Sequence, residues 1–284
     1  LLAIAFALKR PELDIKAITT VTKPAYKRAR IIKRLLRYFG ITDIPVASGM
    51  DLPLRHFTNE EHKTQNDPFI TMNHYAFAEP ENPADEPDSE NAVDLIIKTV
   101  NENQGEIILA CIAPLTNIAC ALRKAPDIAN KIKYIAMMGG EVNLIHREHN
   151  VAFDYIASEI VIESGIKIFM GTWDVTRRFF LTIEECRVFH EHKLPLCNAL
   201  GNAIELWKPT SPRKLGPVMY DIFPMLFPFA PSLYTLKKMS VKVETKGEYT
   251  RGMTIIHGDE QNIEVTTDID APSVKKIFLD TILK

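Results

Sequence analysis

The chain has 284 residues, of which 46% are hydrophobic and 25% are charged, a balance typical of a globular protein with a full core. Its formal net charge of −2 gives no reason to expect nucleic acid or an anionic membrane as the main partner. No uninterrupted apolar run reaches the about 18 residues that would predict a membrane span, so we expect a small-molecule ligand instead.

The apolar opening, Leu1 to Leu8, has helical spacing but no cap or polar lead-in, and it lacks the basic lead and the length of a signal peptide. The four cysteines show neither the close pairing of a zinc site nor the density of a disulfide scaffold. We therefore expect reduced thiols and a cytoplasmic protein.

Short apolar runs then alternate with longer helical patterns. The runs that predict strands are AITTV, IPVAS, EIILACIA, YIAMMGG and IKIFMGTWDV. This alternation predicts an α/β fold with a mostly parallel central sheet flanked by helices, of the open, Rossmann-like kind. The ligand of such a sheet lies beyond the carboxyl ends of its strands.

Three segments break or follow this alternation. Residues 52–91 are rich in Pro, Asp, Glu and Asn, which predicts a loop or lid within a single domain of residues 1–284. Residues 183–207 have a helical pattern. The runs MSVKVETK and TRGMTIIH predict a hairpin around Lys246 and Gly247.

Polar residues follow one predicted strand in the run MMGGEVNLIHREHN. The glycine pair lets backbone approach a ligand, and Glu148 and Asn150 point the same way if this segment is extended. Together with Asn143 they predict a site for adjacent hydroxyl groups. By itself, the stretch is more typical of a polar surface turn, because polar loops are the default.

Two other stretches offer ligands for a cation. In CIAPLTNIAC, the carbonyl of Ile112 ends a strand and is an oxygen donor of the kind calcium takes, although an ordinary strand-to-helix connection explains it as well. In GPVMYDIFPMLFPFAP, Asp221 is the only charge in a long apolar run. Such a carboxylate is paired, metal-bound or a helix N-cap before Ile222, and these alternatives stay open.

The order of several pieces resembles the inosine-uridine preferring nucleoside hydrolase family over essentially the whole chain. These pieces are PELDIKAITTV, IPVASG, APLTNIACALRKAP, IKYIAMMGG, EHN, ESGIKIFMGTWDVT, YDIF and VETKGEYTRGMT. The resemblance implies an α/β fold with Ca²⁺ at the carboxyl end of the central strands, and hydrolysis of the N-glycosidic bond of ribonucleosides to free base and ribose by a calcium-bound water. It also suggests a homo-oligomer.

The resemblance implies roles for individual residues. Asp221 and the carbonyl of Ile112 match metal ligands, and Tyr220 stands where many members have a histidine that helps to protonate the leaving base. Residues that match the lining of the ribose pocket are Met138, Asn143, Glu148 and Asn150. The family's usual Gly followed by Asn or Asp, after the strand ending TTV, is replaced here by Lys23 and Pro24.

One family element is absent from the 284 residues. It is the acidic motif D-x-D-x-G-x-D-D, which supplies two metal-ligating aspartates and the catalytic base, and which we expect immediately before Leu1. The alternative function is therefore a noncatalytic nucleoside- or sugar-binding relative that has lost the metal site. A dinucleotide-binding oxidoreductase is disfavoured, because no G-x-G-x-x-G follows a predicted strand.

Overall fold

The computed structural model describes residues 1–56, 74–89, 91–207 and 216–284. The strands are β1 (Ile18–Thr19), β2 (Val46–Ala47), β3 (Ile108–Cys111), β4 (Tyr134–Met138), β5 (Ile168–Gly171), β6 (Tyr234–Met239), β7 (Val241–Val243), β8 (Thr254–Ile256) and β9 (Ile263–Ile269). The main sheet has the order β3-β4-β5-β9-β6, in which only β6 runs antiparallel. The predicted α/β fold with a mostly parallel sheet is confirmed.

Helices cover the sheet. They are α1 (Leu2–Leu8), α2 (Ala25–Tyr38), α3 (Ala92–Glu102), α4 (Thr116–Lys124), α5 (His149–Phe153), α6 (Tyr155–Ile162), α7 (Trp173–Thr176), α8 (Ile183–Glu191), α9 (Pro195–Trp207), α10 (Ile222–Leu226) and α11 (Ala271–Ile282). Within the described ranges, no helix is long and apolar enough to cross a membrane.

The two faces of the sheet carry separate apolar clusters, which explains why the strands have continuous apolar runs rather than alternating ones. Ala136 and Phe169 pack into the cluster that contains residues of α1, α8, α9, α10 and α11. Their strand neighbours Ile135 and Met170 pack into the other cluster, with residues of α3, α4 and α6. Successive residues of one strand therefore serve opposite cores.

The strands β1 and β2 form a separate parallel pair with only two residues each, so the first strand is much shorter than its apolar run suggests. The side chain of Asn117, in α4, ties this pair to the rest of the fold. Its Nδ2 donates to the Thr20 carbonyl at 2.8 Å, and its Oδ1 accepts from the Met50 amide at 2.9 Å. The exits of both strands are thereby fixed to the first turn of α4.

The predicted loop or lid, residues 52–91, lies partly outside the described residues, at positions 57–73 and 90. Residues 74–89 pack on α2. There the buried carboxylate of Asp85 accepts from Nε of Arg34 at 2.8 Å and from Nε of Arg37 at 3.0 Å. Two basic side chains of α2 are therefore ion-paired to this segment.

The segment 183–207 forms two helices, α8 and α9, rather than one continuous helical stretch. The predicted hairpin is confirmed, with Val243 paired to Thr254. Its connection is long, and the amides of Lys246 and Gly247 both donate to Oε1 of Glu244. The sequence interpretation had not included β9 and α11.

Tyr234 offers a test of the core. Its hydroxyl is buried beside Phe223 and has no hydrogen-bond partner among the described residues. Because an unpaired buried hydroxyl is costly, we expect Tyr234→Phe to raise the free energy of unfolding by about 1 kcal/mol in urea titrations. Tyr75→Phe is the matched control, since the Tyr75 hydroxyl donates to Glu81 at 2.9 Å. We expect Tyr75→Phe to lower the free energy of unfolding. A lower free energy of unfolding in Tyr234→Phe would contradict the prediction.

Candidate active site

The candidate site residues come from segments that follow β3, β4 and β5, whose carboxyl ends meet at one edge of the sheet because the strands are parallel. Ile112 follows β3, the Gly139–Gly140 pair follows β4, and Thr172 follows β5. The amide of Trp173 donates to the Gly140 carbonyl at 3.0 Å, which joins the turns after β4 and β5. Helix α10 contacts β3 and β4 and brings Asp221 to this edge.

Glu148 is the buried N-cap of α5. Its Oε2 accepts from the amides of Gly140 and Val151, each at 3.0 Å, and its Oε1 accepts from the amide of Asn150 at 2.9 Å. These bonds satisfy the first turn of the helix and bind it to the glycine pair. Because α5 starts here, the segment is not extended. Glu148 and Asn150 nevertheless converge on the end of β4.

Asn150 and Met138 are in direct contact. The Nδ2 of Asn150 donates to the Met138 carbonyl at 3.1 Å and lies 3.6 Å from the Met138 sulfur. This bond uses the amide nitrogen and directs the amide oxygen away from the strand end, since the two groups share one plane. Among the described residues, no hydrogen bond to this oxygen is found.

Asn143 lies on the exposed part of the same loop, where its Nδ2 donates to Oδ2 of Asp174 at 3.1 Å. The backbone N–H of Asn143 donates to Oε1 of Glu141 at 2.7 Å, and the backbone N–H of Leu144 donates to the same oxygen at 3.1 Å. The Oε2 of Glu141 accepts from the Asp174 amide at 2.9 Å. Glu141 therefore joins the loop after β4 to the start of α7.

Sequence reasoning missed Glu141 and Asp174, both of which are buried. The interpretation of this stretch as a polar surface turn is wrong at its two ends, where Glu141 and Glu148 are enclosed, although residues 143–145 are exposed. The only available signal was the position of Glu141 directly after the glycine pair.

Asp221 occupies the N-cap position of α10 but makes no capping hydrogen bond, which argues against the helix-cap alternative. The side chain is partly exposed, yet its enclosure raises the pKa of the carboxyl to about 6. The charge of Glu148 raises this pKa further. Asp221 and Glu148 therefore lie within electrostatic reach of one another.

Tyr220 directly precedes Asp221 and is partly exposed. Tyr220 and Asp221 both lie in the turn that precedes α10. Ile112 is partly buried and packs against the apolar cluster that contains this helix. The predicted metal and proton-donor residues thus come from two neighbouring elements. Among the described residues, no cluster of three or more His, Cys, Asp or Glu side chains forms a complete metal site.

The exit of β1 also reaches this edge. Thr22 has a φ of 71°, in the left-handed region that favours glycine. Its amide donates to the Met50 carbonyl at 2.9 Å, and its carbonyl accepts from Nε of Arg28 at 3.1 Å. Lys23, which follows it, is exposed. The turn thus adopts a glycine-type conformation without a glycine.

Known proteins are similar to this chain over nearly its whole length. The family model "Inosine-uridine preferring nucleoside hydrolase" matches residues 1–276. The pyrimidine-specific ribonucleoside hydrolase RihA of Escherichia coli O9:H4 (strain HS) is 31% identical over 297 residues, covering 98% of this chain and 93% of the relative.

Solved structures have the same fold. A purine-preferring ribonucleoside hydrolase from Gardnerella vaginalis superposes with a TM-score of 0.85 at 26% identity, over 99% of this chain and 93% of that one. The inosine-uridine preferring nucleoside hydrolase from Bacillus anthracis gives a TM-score of 0.76 at 20% identity, over 99% and 94%.

The family match spans nearly the whole chain, and the relatives are covered almost end to end. The chain therefore belongs to the inosine-uridine preferring nucleoside hydrolase family, whose reaction is hydrolysis of the N-glycosidic bond of ribonucleosides to free base and ribose.

Proposed function

We propose that this chain carries out ribonucleoside hydrolysis with Ca²⁺ bound by the carboxylate of Asp221 and the carbonyl of Ile112, and with ribose bound beside Glu148. The observation that carries the proposal is the state of Asp221. Its carboxylate sits at the carboxyl edge of the sheet without the capping bond that would otherwise explain it. A half-buried carboxylate in apolar surroundings is stabilised by a cationic partner.

The donors fit a hard cation, because both are oxygen atoms, although calcium takes about six to eight of them. Asp221 and Ile112 are thus part of a larger ligand set, and the family's acidic motif is the proposed source of other carboxylates. A bound divalent cation would lower the pKa of a coordinated water and so supply the nucleophile. The residues described here would orient the sugar for the attack.

Ribose recognition is proposed for Met138, Asn143, Glu148 and Asn150. The Oε1 of Glu148 accepts one backbone N–H, whereas its Oε2 accepts two. A carboxylate oxygen can accept two hydrogen bonds, so Oε1 retains capacity for one ribose hydroxyl. The amide oxygen of Asn150 supplies a second acceptor. These bonds would hold the anomeric carbon in place for the nucleophile.

Charge supports the reaction in the same place. Breaking the glycosidic bond builds positive charge on the sugar ring, which the carboxylates of Asp221 and Glu148 would stabilise through the low-dielectric interior. The departing base needs a proton when it leaves as an anion. Tyr220 is the proposed donor of this proton. It is adjacent to Asp221, and its phenolic O–H stands in place of the imidazole N–H of the family's histidine.

Assembly and compartment are also part of the proposal. We expect a homo-oligomer and a cytoplasmic location. The second expectation draws support from the four cysteines, all of which are free thiols.

The first prediction concerns the metal. With the protein expressed from its complete reading frame, we expect inosine and uridine hydrolysis, followed as release of reducing sugar, to require Ca²⁺ and to stop on chelation. Asp221→Asn removes one anionic ligand and should weaken Ca²⁺ binding at least about tenfold in calorimetric titrations.

Asp280→Asn is the control, because Asp280 is a surface carboxylate on α11 that pairs with Lys276. It should leave Ca²⁺ affinity and turnover unchanged. Hydrolysis that persists in the presence of chelator would overturn the calcium assignment. Nucleoside binding without any hydrolysis would favour the noncatalytic binder.

The second prediction concerns ribose. Glu148→Gln replaces one acceptor oxygen by an NH2 donor. The side chain then loses a hydrogen bond from a backbone N–H or the proposed hydrogen bond from a ribose hydroxyl. We expect kcat/KM to fall by about tenfold or more, as for the loss of a hydrogen bond to a charged group. Glu159→Gln is the control, since Glu159 accepts from Thr245 on the outer side of α6. Equal kinetics for the two variants would exclude the proposed role of Glu148.

A further inference from the structure

The hairpin β7–β8 contacts the turn formed by Gly139, Gly140 and Glu141, which we call the glycine turn. Thr254, the first residue of β8, has its side chain buried against this turn. Its Oγ1 donates to the Glu141 carbonyl at 2.6 Å and accepts from the Glu141 amide at 2.8 Å. One hydroxyl thus satisfies both backbone groups of Glu141.

The turn is closely fitted to this contact. Gly140 has a φ of 74°, and a Cβ added there would lie 3.0 Å from the Met170 sulfur and 3.1 Å from Thr254. The amide of Gly140 donates to Glu148. This N–H lies in the peptide group before Gly140, whereas Thr254 accepts from the N–H of the next peptide group, between Gly140 and Glu141. Because the two peptide groups share the Cα of Gly140, a shift of the second would displace the first.

Backbone hydrogen bonds within the hairpin and a contact with α5 hold the hairpin in place, so it can act as a rigid support. The Glu244 amide donates to the Met253 carbonyl at 2.8 Å, and the Gly252 amide donates to the Glu244 carbonyl at 2.7 Å. Gly252 packs directly against Ala152 of α5. The same hairpin therefore contacts the helix that Glu148 caps and the turn that Glu148 accepts from.

From Glu141 the constraint extends to the rest of the loop. The carboxylate of Glu141 accepts from the amides of Asn143, Leu144 and Asp174. A shift of the Glu141 backbone would therefore move Gly140 on one side and Asn143 on the other. Both flanks of the proposed ribose pocket would change together.

We propose that Thr254 is a positioning residue for ribose, acting through Glu141 to fix the turn that carries the Gly140 amide and the Asn143 side chain. The inference rests on the proposed function, because it takes Glu148 and its neighbours as the ribose site. Thr254 does not touch the sugar.

The test compares Thr254→Val, which keeps the shape and removes the hydroxyl, with Thr254→Ser, which keeps the hydroxyl. Thr281→Val is the control for a purely structural loss, since the buried Thr281 hydroxyl donates to the Ile277 carbonyl on α11. For each protein we would measure kcat/KM for inosine and uridine, the Kd of ribose, the unfolding midpoint, and amide hydrogen exchange of residues 139–148.

In Thr254→Val, we expect faster exchange in residues 139–148, a weaker ribose Kd, and a fall in kcat/KM of about tenfold, the size of losing a pair of buried hydrogen bonds. Thr254→Ser should stay within about threefold of the parent, and Thr281→Val should lose stability without kinetic change.

Two results would overturn the proposal: unchanged exchange in Thr254→Val, or turnover and ribose affinity in that variant equal to those of Thr281→Val. A parent protein that neither binds ribose nor hydrolyses nucleosides would count against the proposed function. Exchange is measured independently of activity, so it separates the two failures.

Discussion

Two buried carboxylates, those of Glu141 and Glu148, each accept three backbone N–H groups, and the geometry of the site depends on this constraint. A charge removed from water is stable only when it is well paired, so the loop between the two residues cannot change its conformation without exposing or orphaning one of them. The left-handed Gly140 is needed because its amide must turn toward Glu148. The polar loop is thereby held at both of its ends.

Much of the fold was predictable from the alternation of apolar runs with helical patterns, because a parallel sheet with two covered faces leaves that pattern. The length of β1 was not. Its apolar run continues past Thr19, but the pairing with β2 stops there. The carbonyl of the next residue, Thr20, accepts from the side chain of Asn117, which lies 97 positions away. A side chain that completes the hydrogen bonds of a distant strand leaves no periodic signal in the sequence.

The site was predictable only in part, for a similar reason. The apolar surroundings of Asp221 reduced its roles to a few, and the missing capping bond removes one of them. Glu148 and Asn150 were candidates from the residue pattern and Met138 from the resemblance, and the three are in contact at the end of β4. Glu141 was invisible because a charged residue in a polar loop is normally exposed. Its partner Thr254 lies 113 residues further along the chain.

Thr22 extends this argument to the edge of the site. A β-branched residue in the left-handed region costs about 1–2 kcal/mol, and such conformations persist only where the surroundings impose them. Here the Met50 carbonyl and the Arg28 guanidinium bind both of its backbone groups, and Asn117 binds the amide of Met50. The bonds therefore hold a turn that glycine would adopt without cost. They also fix the direction in which the chain leaves the strand exit, and with it the position of the exposed Lys23.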